Sequence, residues 1–453
     1  MTVETINPWT GAVEYRYAYF SDDEVERRLA ASARAYPAWA ALSFADRAAL
    51  IRRAAALLRE HRERIAGIMT AEMGKLRREA LAEIEKSAGA CEYYAGQAET
   101  YMQDKHIATE ATRSFVAYEP IGCVFAVMPW NFPIWQVFRF LAPGLMAGNV
   151  ALLKHATNVP RCADAIAEIL RLAGVPEGVF DVLHIDNQRA AAVIADPRVH
   201  AITLTGSERA GKSVAGNAGA NLKKCVMELG GSDPFVVLDD ADLDKAVPIA
   251  VASRFGNGGQ TCIAAKRFIL TPGIAGEFVA RFSAAAAALK SGDPNDDATT
   301  LAPMVRPDAR DELQRQVDAS IAAGAKLLIG GSKGAGPCEY PATILDQVKP
   351  GMAAYSEELF GPVASIIRAD DEADAIRIAN DTAFGLGASV WTRDKARGEA
   401  VARRIQAGAV FVNALVRSDV RLPFGGTKTS GFGRELAEHG IHEFMNIKTV
   451  YVD

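Results

Sequence analysis

From residue 121 onward, short apolar runs alternate with amphipathic segments, and this alternation constrains the fold more than any other feature of the chain. Apolar runs at 121–128, 151–154, 180–185, 200–205 and 224–228 are separated by helical patterns at 161–173, 188–195 and 208–219. Strands that alternate with helices imply βαβ units and a parallel sheet. The run 121–128 carries no polar alternation, as expected of a strand buried on both faces. A second series follows, with strands at 234–238, 266–271, 326–329, 363–369, 388–392 and 409–413 and helices between them. The pattern predicts two α/β domains with a boundary near residues 229–233. Ahead of them, Ser21-Asp22-Asp23-Glu24 is a capping-box signature that opens a helix-rich stretch reaching residue 104. Pro37 is expected to separate two of those helices, with Ser43 and Asp46 capping the second. Residues 1–20 read as an extended entry with a turn at 7–11, and 442–452 as a final strand.

Composition excludes several classes of function. Of 453 residues, 49% are apolar and 23% charged, an ordinary globular balance. Fifty basic against 55 acidic side chains give a net charge of −5, which offers no footprint for nucleic acid or an anionic membrane. The longest apolar run, 121–130, is too short to span a bilayer, and the N-terminus lacks the pattern of a signal peptide. The six cysteines, at 91, 123, 162, 225, 262 and 338, include no C-x-x-C pair. Neither a metal site nor a disulfide framework is therefore expected, and the cytoplasm is the expected setting.

Chemistry concentrates between residues 228 and 262. Glu228-Leu-Gly-Gly-Ser-Asp-Pro opens that stretch and Gly256-Asn-Gly-Gly-Gln-Thr-Cys262 closes it. A carboxylate able to act as a base and a thiol able to act as a nucleophile each sit beside glycines that admit a close ligand. Taken alone, Cys262 would read as a small core residue and Glu228 as a surface charge. A competing pattern precedes them. Gly206-Ser-Glu-Arg-Ala-Gly-Lys-Ser213 matches the P-loop, and Phe235-Val-Val-Leu-Asp239 resembles a magnesium-holding strand, so a P-loop NTPase is an alternative. A helix N-terminus after a strand also suits a dinucleotide pyrophosphate, although no G-x-G-x-x-G fingerprint is present.

Seven motifs occur in an order that resembles the aldehyde dehydrogenase superfamily nearly end to end: P-W-N-F-P at 129–133, L-L-K at 152–154, T-G-S with Gly211, E-L-G-G at 228–231, G-Q-T-C at 259–262, E-L-F-G-P at 358–362, and P-F-G-G-T-K-T-S-G-F-G-R-E at 423–435. The resemblance implies NAD(P)-dependent oxidation of an aldehyde and makes the P-loop match a dinucleotide site. It implies Cys262 as nucleophile, Asn131 as an oxyanion-hole amide and Glu228 as the base that hydrolyses a thioester. Family members that pass the acyl group to coenzyme A lack a Glu at this position. On the cofactor side it implies Pro129, Trp130, Lys154, Thr157, Thr205, Gly206, Ser207, Gly230, Glu358 and Phe360. Many NAD-preferring relatives carry Glu where Thr157 stands, so NADP is the expected cofactor, with NAD also usable.

The texture around 152–160 and 223–234 is most similar to succinate-semialdehyde dehydrogenases of the short bacterial kind. Arg139 and Ser418 match positions that bind the substrate carboxylate in that group. A second arginine found in some relatives is Gly256 here, leaving Arg421 or Arg417 as substitutes. The family fold implies an α/β dinucleotide domain (1–104 and 121–229), an α/β catalytic domain (230–424) and a small β oligomerisation extension (105–120 and 440–453). The last implies a homodimer or a dimer of dimers.

Overall fold

A computed structural model describes residues 2–453. Both parallel sheets expected from the alternation are present. In the first, Cys123–Met128 is central. Val150–His155 and then Phe180–Val182 flank it on one side, and Val199–Thr205 and then Lys224–Glu228 on the other, all parallel. Val150–His155 is buried at every position, as expected of a strand that opens with four consecutive apolar residues between two neighbours. Loops leaving the C-terminal ends of these strands share one edge of the sheet, where open α/β folds bind ligands.

The second sheet has seven strands, in the order Lys326–Ile329, Thr343–Asp346, Val363–Arg368, Ala265–Leu270, Asp233–Val237, Gly387–Trp391 and Ala409–Val412. Only the first pair is antiparallel. Alternate side chains feed separate cores on its two faces, Val236, Ile269 and Val363 on one and Phe235, Phe268 and Ile366 on the other. The strand Thr343–Asp346, four residues between two turns, had no signal distinguishing it from loop.

The helices at 161–173, 188–195 and 208–219 lie within a residue of their expected ends. Pro37 does not separate helices: Asp22–Ala40 runs through it. The next helix, Phe44–Glu60, starts instead at the Ser43 cap, whose hydroxyl accepts from the Asp46 N–H at 3.1 Å. The helix Trp135–Ala147 was not anticipated. It is apolar on nearly every face and buried along almost its whole length, so it shows no amphipathic period to read.

Two smaller sheets complete the fold. Thr2–Ile6 and Val13–Ala18 form an N-terminal hairpin. Arg113–Pro120 pairs with Lys105–His106 and, along its full length, with Met445–Val452. Residues 425–439, which the expected boundaries left between the catalytic domain and the extension, return to the first sheet. There Gly431–Phe432 pairs antiparallel with the end of Lys224–Glu228. Gly431 has φ +116°, and a Cβ there would collide with the Met227 carbonyl oxygen. Gly431→Ala should therefore destabilise the protein by about 2 kcal/mol or more, read as a lowered midpoint in chemical denaturation.

Candidate active site

Three loops from the first sheet build a cleft. Pro129, Trp130 and Asn131 follow Cys123–Met128. Thr205, Gly206 and Ser207 lie at the end of Val199–Thr205. Gly230 follows Lys224–Glu228. Together with Cys262, Glu358 and Phe360 from the second sheet's side, they line a cavity of about 400 Å³. Ser207 caps the helix Glu208–Ala220, accepting from the Ala210 N–H at 3.3 Å, so a helix N-terminus faces this cleft and suits a phosphate. Trp130 and Phe360 meet edge to face at 5.9 Å. The Glu358 carboxylate accepts from the Gly231 N–H at 3.0 Å and lies 3.3 Å from the Lys266 ammonium. A Cβ on Gly230 would strike that carboxylate, which explains the glycine. These features fit a dinucleotide: a donor-rich helix end, an apolar slot and a carboxylate for ribose hydroxyls. Lys154 and Thr157 do not line the cleft. They lie at the end of the neighbouring strand Val150–His155, where the Thr157 carbonyl accepts from the Tyr17 hydroxyl at 2.9 Å.

Cys262 and Asn131 belong to different sheets and are brought together by buried hydrogen bonds. The Asn131 side-chain amide donates to the Gln260 carbonyl at 3.0 Å, while its own oxygen accepts from Gln136 at 3.1 Å. Lys75 and Asn257 both donate to the Asn131 carbonyl, at 2.8 and 3.0 Å. An amide NH₂ has two hydrogens, and one remains for a ligand in the cleft. Cys262 is half-buried and lies on a turn whose carbonyl accepts from Lys266 at 2.8 Å. Desolvation pushes its thiol up to about 11, against the pull of the nearby Arg139 and Lys266 cations. The resting nucleophile is thus a thiol that must lose its proton on reaction.

Glu228 ends its strand buried, with neither carboxylate oxygen hydrogen-bonded. Burial, reinforced by the neighbouring Glu435 charge, raises its pKa well above the usual carboxylate range, while Arg139 opposes the shift. The side chain is turned towards Gly425, where a Cβ would come within 2.8 Å of Oε1, and it does not line the cleft.

Expectations for the substrate residues need correction. Arg139, expected to bind a substrate carboxylate, is buried on helix Trp135–Ala147. It forms an ion pair with Glu435 and donates to Thr205 Oγ1 at 2.9 Å. Its guanidinium already has a carboxylate. Arg421 is exposed and paired with Asp419 at 2.6 Å. Ser418 does line a second cavity, of about 310 Å³, which Thr261 and Ile263 on either side of the nucleophile also line.

The P-loop reading fails on geometry. Lys212 is exposed and paired with Glu208 at 2.5 Å, and Asp239 lies beyond the other sheet, 2.9 Å from Arg397. The phosphate-binding lysine and the magnesium ligand of an NTPase would need to share one site. Among the described residues, no group of three or more His, Cys, Asp or Glu is placed to hold a metal.

Sequence reasoning missed Lys75, Glu83, Gln136, Asn257 and Lys266. Glu83 pairs with Lys75 and also accepts from the N–H groups of Ile134 and Trp135, each at 2.9 Å, fixing the turn that carries Asn131. Asn257 alone carried a signal, in its place between glycines. The others are ordinary helix or strand residues until folding joins them. Asn131→Ala should lower kcat by about 10²–10³-fold, as loss of an oxyanion donor does, while Cys262 remains alkylable by iodoacetamide.

The comparisons agree with this geometry. The model of the aldehyde dehydrogenase family matches residues 1–450. The chain is 49% identical, over the whole of both sequences, to a Synechocystis protein named probable succinate-semialdehyde dehydrogenase (NADP(+)). It is 47% identical to Escherichia coli succinate semialdehyde dehydrogenase (NAD(P)+) Sad, covering 99% of this chain and 97% of the other. Among solved structures, succinic semialdehyde dehydrogenase from Streptococcus pyogenes in complex with NADP+ superposes with a TM-score of 0.97 at 36% identity, with 99% of each chain covered. A cleft, a thiol and an amide in this arrangement, carried by a sequence that matches from end to end, place the chain in the aldehyde dehydrogenase family.

Proposed function

We propose that the protein oxidises succinate semialdehyde to succinate, with NADP as the preferred hydride acceptor and NAD as a second. The observation that carries the chemistry is the placement of Cys262 and the half-satisfied Asn131 amide on the lining of one cavity. The substrate assignment draws on the relatives' names and on the polar groups of the second cavity. The preference for NADP draws on Thr157, which presents no carboxylate to repel a 2′-phosphate, and on those same names.

In this reading the Cys262 thiol gives its proton to water in the cleft, and Sγ bonds to the aldehyde carbon as the carbonyl electron pair moves onto oxygen. The resulting oxyanion accepts from the free Asn131 amide hydrogen and from the Cys262 N–H. Ser207 and the following helix end hold the pyrophosphate, and Lys154 and Glu358 the two riboses. The bound dinucleotide supplies the hydride acceptor. Once the carbon is at the oxidation level of a thioester, Glu228 swings from Gly425 towards Cys262 and takes a proton from the attacking water. Sulfur then leaves as thiolate. The exposed strand Met445–Val452, with Ile447 and Tyr451 unburied, is the proposed docking edge for a second copy, giving a homodimer or dimer of dimers. Six free cysteines suit a reducing cytoplasm.

A panel of aldehydes followed by reduced-cofactor absorbance tests the substrate. Succinate semialdehyde should exceed butanal in kcat/KM, and equal or reversed values would contradict the assignment. Because the Glu228 pKa is raised, the carboxyl is neutral at low pH and becomes a base as pH rises through that value. Steady-state turnover should therefore climb with pH. Glu228→Gln should flatten that limb and leave a single-turnover burst of reduced cofactor. Thr157→Glu should shift the ratio of NADP to NAD efficiency towards NAD by roughly 10- to 100-fold, the worth of a lost charged contact plus a repulsion.

A further inference from the structure

The cavity on the substrate side contains a cation that no carboxylate neutralises. Lys86 lies on helix Arg77–Tyr101, its ammonium 4.0 Å over the Trp135 ring and donating to Ser418 Oγ at 2.7 Å. Among the described residues, no carboxylate stands within ion-pairing distance of it. The residue remains reachable from solvent through the cavity, yet protein crowds the ammonium. That burial, helped by the Arg139 charge and opposed by Glu83, Asp419 and Cys262, pushes its pKa down to about 8. An ammonium crowded by protein and without a counter-ion favours an incoming anion.

Apart from Arg417, the other charges around this cavity are already occupied. Lys75 pairs with Glu83, whose second oxygen holds the Ile134 and Trp135 N–H groups. Glu79 accepts from the Asn257 N–H at 3.0 Å, and burial pushes its carboxyl towards the neutral form. Arg417 is exposed at the rim, and Arg139 is held by Glu435. Thr261 and Ile263 line the same cavity as Lys86, so the turn that carries Cys262 borders it.

We propose that Lys86, with the Ser418 hydroxyl, binds the distal carboxylate of the substrate, so that selectivity for a carboxylate-bearing aldehyde is set from helix Arg77–Tyr101 and not by Arg139. This rests on the substrate class proposed above. The Trp135 face fixes the ammonium in place, and Ser418 adds a neutral hydrogen bond to the same anion.

The test compares Lys86→Met, Lys86→Arg and Arg139→Ala with wild type on succinate semialdehyde, on its one-carbon-longer homologue, glutarate semialdehyde, and on butanal. Lys86→Met should lower the ratio of kcat/KM for succinate semialdehyde over butanal by roughly 10- to 100-fold, and Lys86→Arg should recover most of it. Turnover of butanal reports that the variant is folded. Unreactive succinate should slow iodoacetamide alkylation of Cys262 in wild type and not in Lys86→Met. An unmoved ratio in Lys86→Met, or a fall confined to Arg139→Ala, would overturn the proposal. If wild type prefers glutarate semialdehyde, the substrate assignment fails, and Lys86 is judged by the same ratio for that aldehyde.

Discussion

Everything in the site depends on a set of buried hydrogen bonds that cross from one sheet's loops to the other's. The Asn131 amide reaches the Gln260 carbonyl, and Asn257 reaches back to the Asn131 carbonyl, both at 3.0 Å. Gln260 is itself tied down, donating to Pro303 and accepting from Val305. Leaving one such group unpaired costs about 1–3 kcal/mol, so the set holds the oxyanion donor and the nucleophile's turn in one geometry. The backbone there is unusual. Asn257, Gly258 and Gly259 all have positive φ, at 54°, 62° and 72°. The chain can make this turn because two of the three residues lack a Cβ, and asparagine tolerates the region better than most. The Gly-Asn-Gly-Gly motif is therefore a backbone requirement that places Cys262.

A second constraint is electrostatic. Arg139, Glu435 and Glu228 share a buried region, where Arg139 pairs with Glu435 and the Glu435 charge acts on Glu228. Arg139 secures Glu435, and the unfavourable remainder falls on Glu228, which is driven towards its neutral form. In the role proposed for it, Glu228 takes a proton only once its side chain has moved towards water and the thioester. The same arrangement gives Arg139 a carboxylate partner, while Lys86, on the second cavity, has none.

Much of this was legible in the chain. The period of apolar runs indicated parallel sheets because strands buried on both faces tend to be continuously apolar, as Val150, Ala151, Leu152 and Leu153 are. Pro129, Trp130, Ser207, Gly230, Glu358, Phe360, Asn131 and Cys262 sat in local motifs, and folding collects them around one cavity. What failed to show depended on partners distant in sequence. Glu435 was visible within its motif, but its pairing with Arg139 spans nearly three hundred residues, and nothing local announces it. Lys86 and Trp135 belong to helices whose patterns resemble ordinary core packing. The strand Gly431–Phe432 is two residues long, too short for any period.

In the proposed reaction Cys262 carries the substrate's acyl group until water releases it. Rapid mixing of enzyme, NADP and succinate semialdehyde, followed by acid quench and peptide mass spectrometry, tests it most directly. The account predicts a succinyl thioester on the peptide containing Cys262, removed by hydroxylamine and absent when the dinucleotide is omitted. An acyl group on any other residue, or turnover with no acylated Cys262 at any quench time, would contradict it.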